Sequence, residues 1–254
     1  MTVRATTAYG KAVPCRPLLG KAAKARSDHP AGVSRSRLAT ALLSCGVGYS
    51  LLYVIENDVV AARRYSGYSR MSQAVSELSA KGSPARPFLT ATVPLSSALM
   101  VAFGIGVSKS AEGKRALRVA GGLLVGGGVM SVTWLPFPMS SRDEIAKGAG
   151  AANDIGHLVL SAATLVLILS QFAAGAVAFG RKFRVYSLLS GATVAGFGAL
   201  TGIESQKMTR GEPTPWLGLF ERIMLGAWLL WMSILAVILL RIRERPGPPR
   251  LSLD

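Results

Sequence analysis

The chain has 254 residues, of which 50% are hydrophobic and 17% are charged, and its mean hydropathy is +0.39. A soluble domain carries about 25% charged residues, so the composition argues against a soluble enzyme. The apolar fraction excludes a disordered or collagen-like chain, and the presence of only two cysteines excludes a disulfide scaffold. The composition therefore predicts a polytopic membrane protein.

Six apolar runs are long enough to cross the hydrocarbon core of a bilayer, which is roughly 30 Å thick. Each is expected to be a helix, because lipid offers no partners for free backbone N–H and C=O groups. The predicted spans are 38–55, 88–107, 116–137, 156–180, 185–203 and 217–240. The predicted fold class is all-α, with one six-helix transmembrane bundle over residues 38–243. A basic, disordered cytoplasmic tail is predicted at 1–37 and a short cytoplasmic tail at 244–254.

The distribution of Lys and Arg predicts the orientation. Of these 29 residues, 19 lie in the two tails and in the second and fourth loops, and nine lie in the first, third and fifth loops. Since basic loops stay in the cytoplasm, we predict a plasma-membrane protein with both termini cytoplasmic. The net charge of +16 follows the same loops, which indicates contact with anionic membrane lipids rather than nucleic-acid binding.

Small residues in two spans predict close helix packing. Gly122 and Gly126 are four residues apart in the third span, and Gly191, Ala195 and Gly198 lie on nearby faces of the fifth. Such spacing lets two helix backbones approach each other. We interpret it as packing inside the bundle, and a homo-oligomer through these faces is the alternative.

The first outer loop is predicted to contain a short amphipathic helix. Apolar residues within 71–78 follow the i, i+3, i+4, i+7 spacing of one helix face, and such a helix lies at the membrane surface. Ser76 and Glu77 lie off this face. They either solvate the polar side of the helix or belong to a site.

The fourth span begins with Asp154 and His157, three residues apart on one helix face. A carboxylate can fix the tautomer of a neighbouring imidazole and raise its basicity, which favours acid–base chemistry. The alternative is that Asp154 caps the helix and His157 is an interfacial polar residue.

The sixth span begins with Glu221 and Arg222. Ionisable residues inside a membrane are functional candidates, and the alternative is an ion pair that fixes helix register. We expect Arg222 to meet Glu77, Asp154 and His157 near the outer leaflet, with Glu221 facing a neighbouring helix, because pairing lowers the cost of desolvation.

Several motifs occur in a fixed order along the chain. They are Ser-Glu-Leu-Ser at 76–79 after Tyr-Ser-x-Met-Ser, Phe137-Pro138, Asp154-x-x-His157, and Gly218-x-x-Glu221-Arg222 leading to Trp228 and Trp231. Over residues 38–243 this set resembles the bacterial six-helix membrane proteins known as the domain of unknown function 998 family. That family commonly has Gly where this chain has Ser79. The resemblance implies a fold and a membrane location, without an activity.

Three functions remain open from the sequence. The first is binding or sensing of a lipid or small ligand at an outer-leaflet polar pocket. The second is a membrane-embedded hydrolase or lipid-modifying enzyme with Ser76 as nucleophile, His157 as base and Asp154 as orienting group. The third is a small transporter that uses Glu221 and Arg222.

No cofactor and no metal is predicted. Catalytic zinc generally needs three protein ligands. Of the two histidines, only His157 is predicted on the outer side, since His29 lies in the N-terminal tail.

Overall fold

The computed structural model describes residues 29–148 and 151–244. Within these residues, six helices are long and apolar enough to cross a membrane. They are α1 (His29–Val54), α2 (Arg86–Lys109), α3 (Arg115–Val132), α4 (Ala151–Ala178), α5 (Arg181–Met208) and α6 (Leu217–Glu244). The predicted all-helical class with six spanning helices is confirmed.

The first span is longer than predicted at its C-terminal end. After Val54 the chain continues as a π-helical turn, Ile55–Ala61, and ends with a short α-helical turn, Ala62–Arg64. The apolar run breaks at Glu56, where the predicted span ended. The helix continues because Glu56 and the residue that follows it are buried among other helices, so these polar side chains do not meet lipid.

The predicted tails fall mostly outside the described residues. Residues 1–28 and 245–254 are not described. Helix α1 begins at His29, inside the stretch assigned to the N-terminal tail. That stretch is too polar to count as part of a membrane span, which is why the sequence alone placed the boundary at residue 37.

The spanning helices form a ring in chain order. Each packs against its neighbours along the chain, and α6 also packs against α1. Because successive helices alternate in direction, residues 65–85, 133–148 and 209–216 lie at one end of the ring, which we call the loop face. The start of α1, the end of α6 and the turns at 110–114 and 179–180 lie at the opposite face.

An apolar core fills the ring towards the opposite face. The side chains of Leu43, Phe103, Leu124, Trp231 and Met232 are all fully buried. They come from α1, α2, α3 and α6, so the core joins opposite sides of the ring. The interior is therefore closed on this side.

Helices α2 and α3 cross at glycines that differ from the predicted pair. A Cβ added to Gly104 or Gly121 would lie 2.7 Å from the carbonyl oxygen of the other residue. Gly122 and Gly126 are exposed instead, so their assignment to internal packing was wrong. Several pairs of small residues in α3 have a spacing that suits close helix packing, so the sequence does not show which pair is used. Contact with the neighbouring helix decides which face of α3 turns inward. A homo-oligomer through the exposed face stays a prediction.

Candidate functional site

The first loop holds a 3₁₀ helix, Val75–Ser79, where a longer amphipathic α-helix was predicted. Met71, expected on the apolar face, is 45% exposed. Two side chains bind the backbone just before the short helix: the Tyr68 hydroxyl donates to the Ala74 carbonyl at 2.8 Å, and a Glu77 oxygen accepts the Ala74 N–H at 2.8 Å. The Glu77 contact is that of an N3 side chain with the N-cap backbone, so the short helix begins at Val75 and not earlier in the loop.

The Glu77 carboxylate lies in the interior of the loop face with 3% exposure. Arg142 Nη2 donates to Glu77 Oε1 at 2.7 Å, and Arg142 Nε donates to Oε2 at 3.3 Å. The N–H of Ala74 and the amide of Gln73 also donate to this carboxylate. Two parallel bonds from a guanidinium form the strongest common carboxylate contact, so Glu77 is held in place by Arg142 and is not a solvated surface group.

Arg142 joins the first, third and fifth loops. Its Nη1 donates to Thr214 Oγ1 at 2.7 Å and its Nη2 donates to the Ser72 carbonyl at 3.1 Å. Thr214 Oγ1 donates to the same carbonyl at 2.8 Å. We call Glu77, Arg142 and Thr214 the loop clasp, because each of the three loops supplies one member.

A capped turn positions Arg142 for this role. Ser141 is the N-cap of a short helix, Arg142–Ala146, and its hydroxyl accepts the N–H of Glu144 while a Glu144 oxygen accepts the N–H of Ser141 at 2.9 Å. Hydrogen bonds from Ser141 to the charged carboxylate hold the pKa of Glu144 below its usual value. The capping box therefore fixes the start of the turn that carries Arg142.

A second ion pair joins α6 to the end of the first span. Arg222 Nε donates to Asp58 Oδ1 at 2.7 Å, and other guanidinium nitrogens donate to the Tyr68 hydroxyl and the Arg70 carbonyl at 3.0 Å. Burial raises the pKa of Tyr68 to about 12, against the opposing effect of Arg222. Tyr68 therefore stays protonated at neutral pH.

Glu221 faces the first loop rather than a neighbouring spanning helix. Its carboxylate accepts the N–H of Val75 at 2.6 Å, which fixes the first residue of the 3₁₀ helix. The N–H of Leu219 donates to the Met71 carbonyl at 3.1 Å. The start of α6 is therefore bound directly to the first loop.

Asp154 and His157 have separate partners. Asp154 Oδ1 accepts the N–H of Ser140 at 2.8 Å, and His157 Nδ1 lies 3.2 Å from the Phe137 carbonyl. Since a carbonyl only accepts, Nδ1 carries the proton in this contact. The Ser76 hydroxyl contacts a methionine sulfur at 3.6 Å. Among the described residues, no hydrogen bond joins Ser76, Asp154 and His157 to one another.

The predicted residues thus share the loop face but do not pair as expected. Glu77 pairs with Arg142 and Arg222 pairs with Asp58. Neither Arg142 nor Asp58 was among the candidate site residues predicted from the sequence. Asp58 follows an apolar run and precedes another, which is a signal that the first span continues past it.

A cavity of about 330 Å³ lies inside the ring beneath the loop face. Ser76, His157, Glu221 and Arg86 line its upper part. Arg86 donates to the carbonyl of Ser79 at 2.8 Å, so its guanidinium is held against the loop backbone. Three of the candidate residues from the sequence, Ser76, His157 and Glu221, therefore border one cavity.

The middle of the cavity is lined by polar side chains from four of the spanning helices. The lining includes Glu56, Ser96 and Thr92, together with Ser131 of α3 and Thr164 of α4. The hydroxyl of Thr164 is buried and has no partner within the described residues. A buried hydroxyl without a partner costs free energy, which a bound molecule would recover.

Aromatic and apolar side chains form the lower part. Tyr49, Trp228, Met100 and Ile168 line the cavity there. The rings of Tyr49 and Trp228 meet edge to face with centroids 5.9 Å apart. Beneath them lies the closed apolar core.

Glu56 is a site residue that the sequence did not identify. It is 5% exposed, lines the cavity and accepts hydrogen bonds from Ser96 Oγ at 3.1 and 3.2 Å. It lies eight residues before Arg64, the end of the first span, which places it about 12 Å below the loop face at 1.5 Å per residue. The π-helical turn presents it to the cavity, and such turns are frequent at functional sites.

The described residues contain no group of three or more His, Cys, Asp and Glu side chains placed to hold a metal ion. The candidate site consists of the loop face and the cavity beneath it. The six spanning helices of the described chain define the class of protein, a multi-pass integral membrane protein.

A family model described as Protein of unknown function (DUF998) matches residues 45–238, and the chain belongs to this family. The resemblance inferred from the ordered motifs is therefore confirmed. Neither a curated protein nor a solved structure matches the chain.

Proposed function

We propose that this membrane protein binds a small amphipathic ligand in the cavity beneath the loop face. The observation that carries the proposal is the cavity itself. Its volume of about 330 Å³ falls within the range of roughly 300–1,000 Å³ found for small-molecule sites. Polar groups at mid-depth and apolar groups below match a ligand with one polar and one apolar end.

The closed core favours binding over a continuous pore. Phe103 and Trp231 are fully buried below the cavity, so a ligand that enters from the loop face meets packed side chains. Transport would require these helices to separate, since the core joins both sides of the ring. A binding or sensing role needs no such change.

A hydrolase has less support. The Ser76 hydroxyl and the His157 imidazole both line the cavity, but each contacts another group, Met139 and the Phe137 carbonyl respectively. A nucleophile needs its base within about 2.6–3.2 Å. The enzyme hypothesis therefore depends on a rearrangement of the third loop.

We further propose a plasma-membrane location with the opposite face in the cytoplasm. The described residues of that face include exposed basic side chains suited to contact with anionic lipid. They are Lys114, Arg115, Arg118, Arg181 and Lys182.

Cysteine labelling tests this orientation. With Cys15 and Cys45 replaced by alanine, Lys147→Cys on the loop face should react with an impermeant maleimide added to intact cells. Lys114→Cys should react only after the cells are opened. Both positions are exposed and both changes remove one Lys, so the pair is matched. The reverse labelling pattern contradicts the orientation.

Filling the cavity tests the ligand-binding proposal. Ser131 lines the cavity and its hydroxyl bonds only within α3, to the Gly128 carbonyl. Ser131→Phe should occupy the space and reduce calorimetric binding of the probe 1-hexanol by about tenfold or more, with little loss of stability.

The matched control is Val129→Phe, two residues away on α3 and 60% exposed on the outside of the ring. This variant should bind 1-hexanol as the wild type does, since it changes only the lipid-facing surface. Equal binding by Ser131→Phe and the wild type would show that the cavity is not the binding site.

A further inference from the structure

We infer that the ligand carries an ammonium group and that Glu56 is its counter-ion. This inference rests on the proposed binding function and specifies its substrate class: a small organic cation with an apolar tail. Its basis is the burial of Glu56, the lack of a cationic side chain beside it in the described part of the chain, and the aromatic rings that share its cavity.

Glu56 differs from the other buried carboxylates of the described chain. Glu77 is paired with Arg142, and Glu204 is paired with Lys207. Glu56 is as deeply buried, at 5% exposure, but has no Lys, Arg or His within salt-bridge distance among the described residues. Its hydrogen-bond partners among the described side chains are two neutral hydroxyls of α2, Ser96, which donates at 3.1 and 3.2 Å, and Thr92.

Two neutral hydroxyls leave about half of the carboxylate unsatisfied and supply no positive charge. An ionised carboxylate offers about four acceptor positions, and the hydroxyl protons of Ser96 and Thr92 can occupy at most two of them. Ionisable groups at this depth in a membrane are costly and generally pair with another group or line a ligand pathway. Since Glu56 lines the cavity, a bound cation can provide the missing charge.

The surrounding charges favour a cation over an anion. The acidic and basic side chains that line the cavity are Glu56, Glu221, Arg86 and His157. Arg86 begins α2, and a rise of 1.5 Å per residue places its backbone about 15 Å along the helix from Ser96, the residue bonded to Glu56. The middle and lower cavity therefore contains a carboxylate and no positive side chain.

Aromatic rings suit the same ligand. Tyr49, Tyr53 and Trp228 line the cavity on the side of α1 and α6. Tyr49 and Tyr53 precede Glu56 by two helical turns and one turn, so they lie on nearly the same helix face. Ring faces attract organic cations, most strongly when water is excluded. The apolar floor at Met100 and Ile168 accommodates a short alkyl chain.

The test compares three probes with the same alkyl chain: hexylammonium, 1-hexanol and hexanoate. Binding is measured calorimetrically with the full chain in nanodiscs. We expect the wild type to bind hexylammonium about tenfold more tightly than 1-hexanol, or better, because a hydrogen bond to a charged partner is stronger than a neutral one. Hexanoate should bind most weakly. Equal or stronger binding of 1-hexanol or hexanoate by the wild type overturns the inference.

Glu56→Gln should weaken hexylammonium binding by about tenfold or more and so remove the preference for hexylammonium over 1-hexanol. Gln keeps an oxygen that accepts from Ser96, so the variant preserves the contact between α1 and α2. The charge control is Glu212→Gln, an exposed position on the loop face, which should keep the preference. An unchanged preference in Glu56→Gln overturns the inference.

The outcomes separate this inference from the proposed function. If Ser131→Phe blocks 1-hexanol but the wild type shows no ammonium preference, the cavity binds ligands and the assignment of Glu56 fails. If Ser131→Phe changes no probe's binding, the cavity proposal itself fails. The comparison of the three probes on the wild type needs no variant and decides the role of Glu56 even if Glu56→Gln does not fold.

Discussion

Replacing Arg142 with alanine is expected to lower the free energy of unfolding by about 3 kcal/mol, because it leaves a buried carboxylate without its cation. Glu77 is 3% exposed and loses two hydrogen bonds in this variant. Removing one partner of a buried ion pair generally costs about 3–5 kcal/mol. We expect the low end of that range because Ala74 and Gln73 still donate hydrogen bonds to the Glu77 carboxylate. Denaturant titration in detergent micelles measures it.

The control is Lys147→Ala, which removes a positive charge from an exposed position in the same loop and should change stability by less than about 0.5 kcal/mol. The double variant Glu77→Ala/Arg142→Ala should be less destabilised than the sum of its single variants, because it leaves no unpaired charge. A loss in Arg142→Ala no larger than in the control would show that the loop clasp does not hold the loops together.

Replacing Gly218 with alanine is expected to cost at least about 1–3 kcal/mol, the usual cost of overpacking. A Cβ at this position would overlap the carbonyl oxygens of Gln73 and Arg70. Both are backbone atoms of the first loop, so rotation of a side chain cannot relieve the overlap. Displacement of the loop would also weaken the bond from Arg222 to the Arg70 carbonyl.

Gly226→Ala on the same helix is the matched control. A Cβ there has no neighbour within 4 Å, so this variant should be as stable as the wild type, or slightly more stable because alanine favours helices. Thermal unfolding in detergent compares the two. A melting temperature of Gly218→Ala equal to that of Gly226→Ala would contradict the close contact between α6 and the first loop.

The fold was predictable because membrane helices are specified by local composition. Each apolar run had the length and hydropathy that a bilayer requires, and no distant contact was needed to recognise it. The error at Glu56 has a related cause. Hydropathy treats a polar residue as the end of a span, whereas the helix continues when such residues turn inward to a cavity.

The pairs within the site could not be predicted in the same way. The sequence indicated that Arg222 needs a carboxylate, but several candidates were expected at the same depth. The choice of Asp58 depends on the π-helical turn. The pairing of Glu77 with Arg142 depends on where the third loop folds. Likewise, Gly121 rather than Gly122 faces α2, because packing and not spacing sets the rotation of the helix.

The most direct test of ligand binding in the cavity is a crystal structure with 6-bromohexylammonium, in which anomalous scattering locates the bromine. We expect a bromine peak between Met100 and Ile168 at the cavity floor, with the ammonium nitrogen within hydrogen-bond distance of the Glu56 carboxylate. A bromine peak found only on the lipid-facing surface of the ring, or none at all at saturating probe, would contradict ligand binding in the cavity.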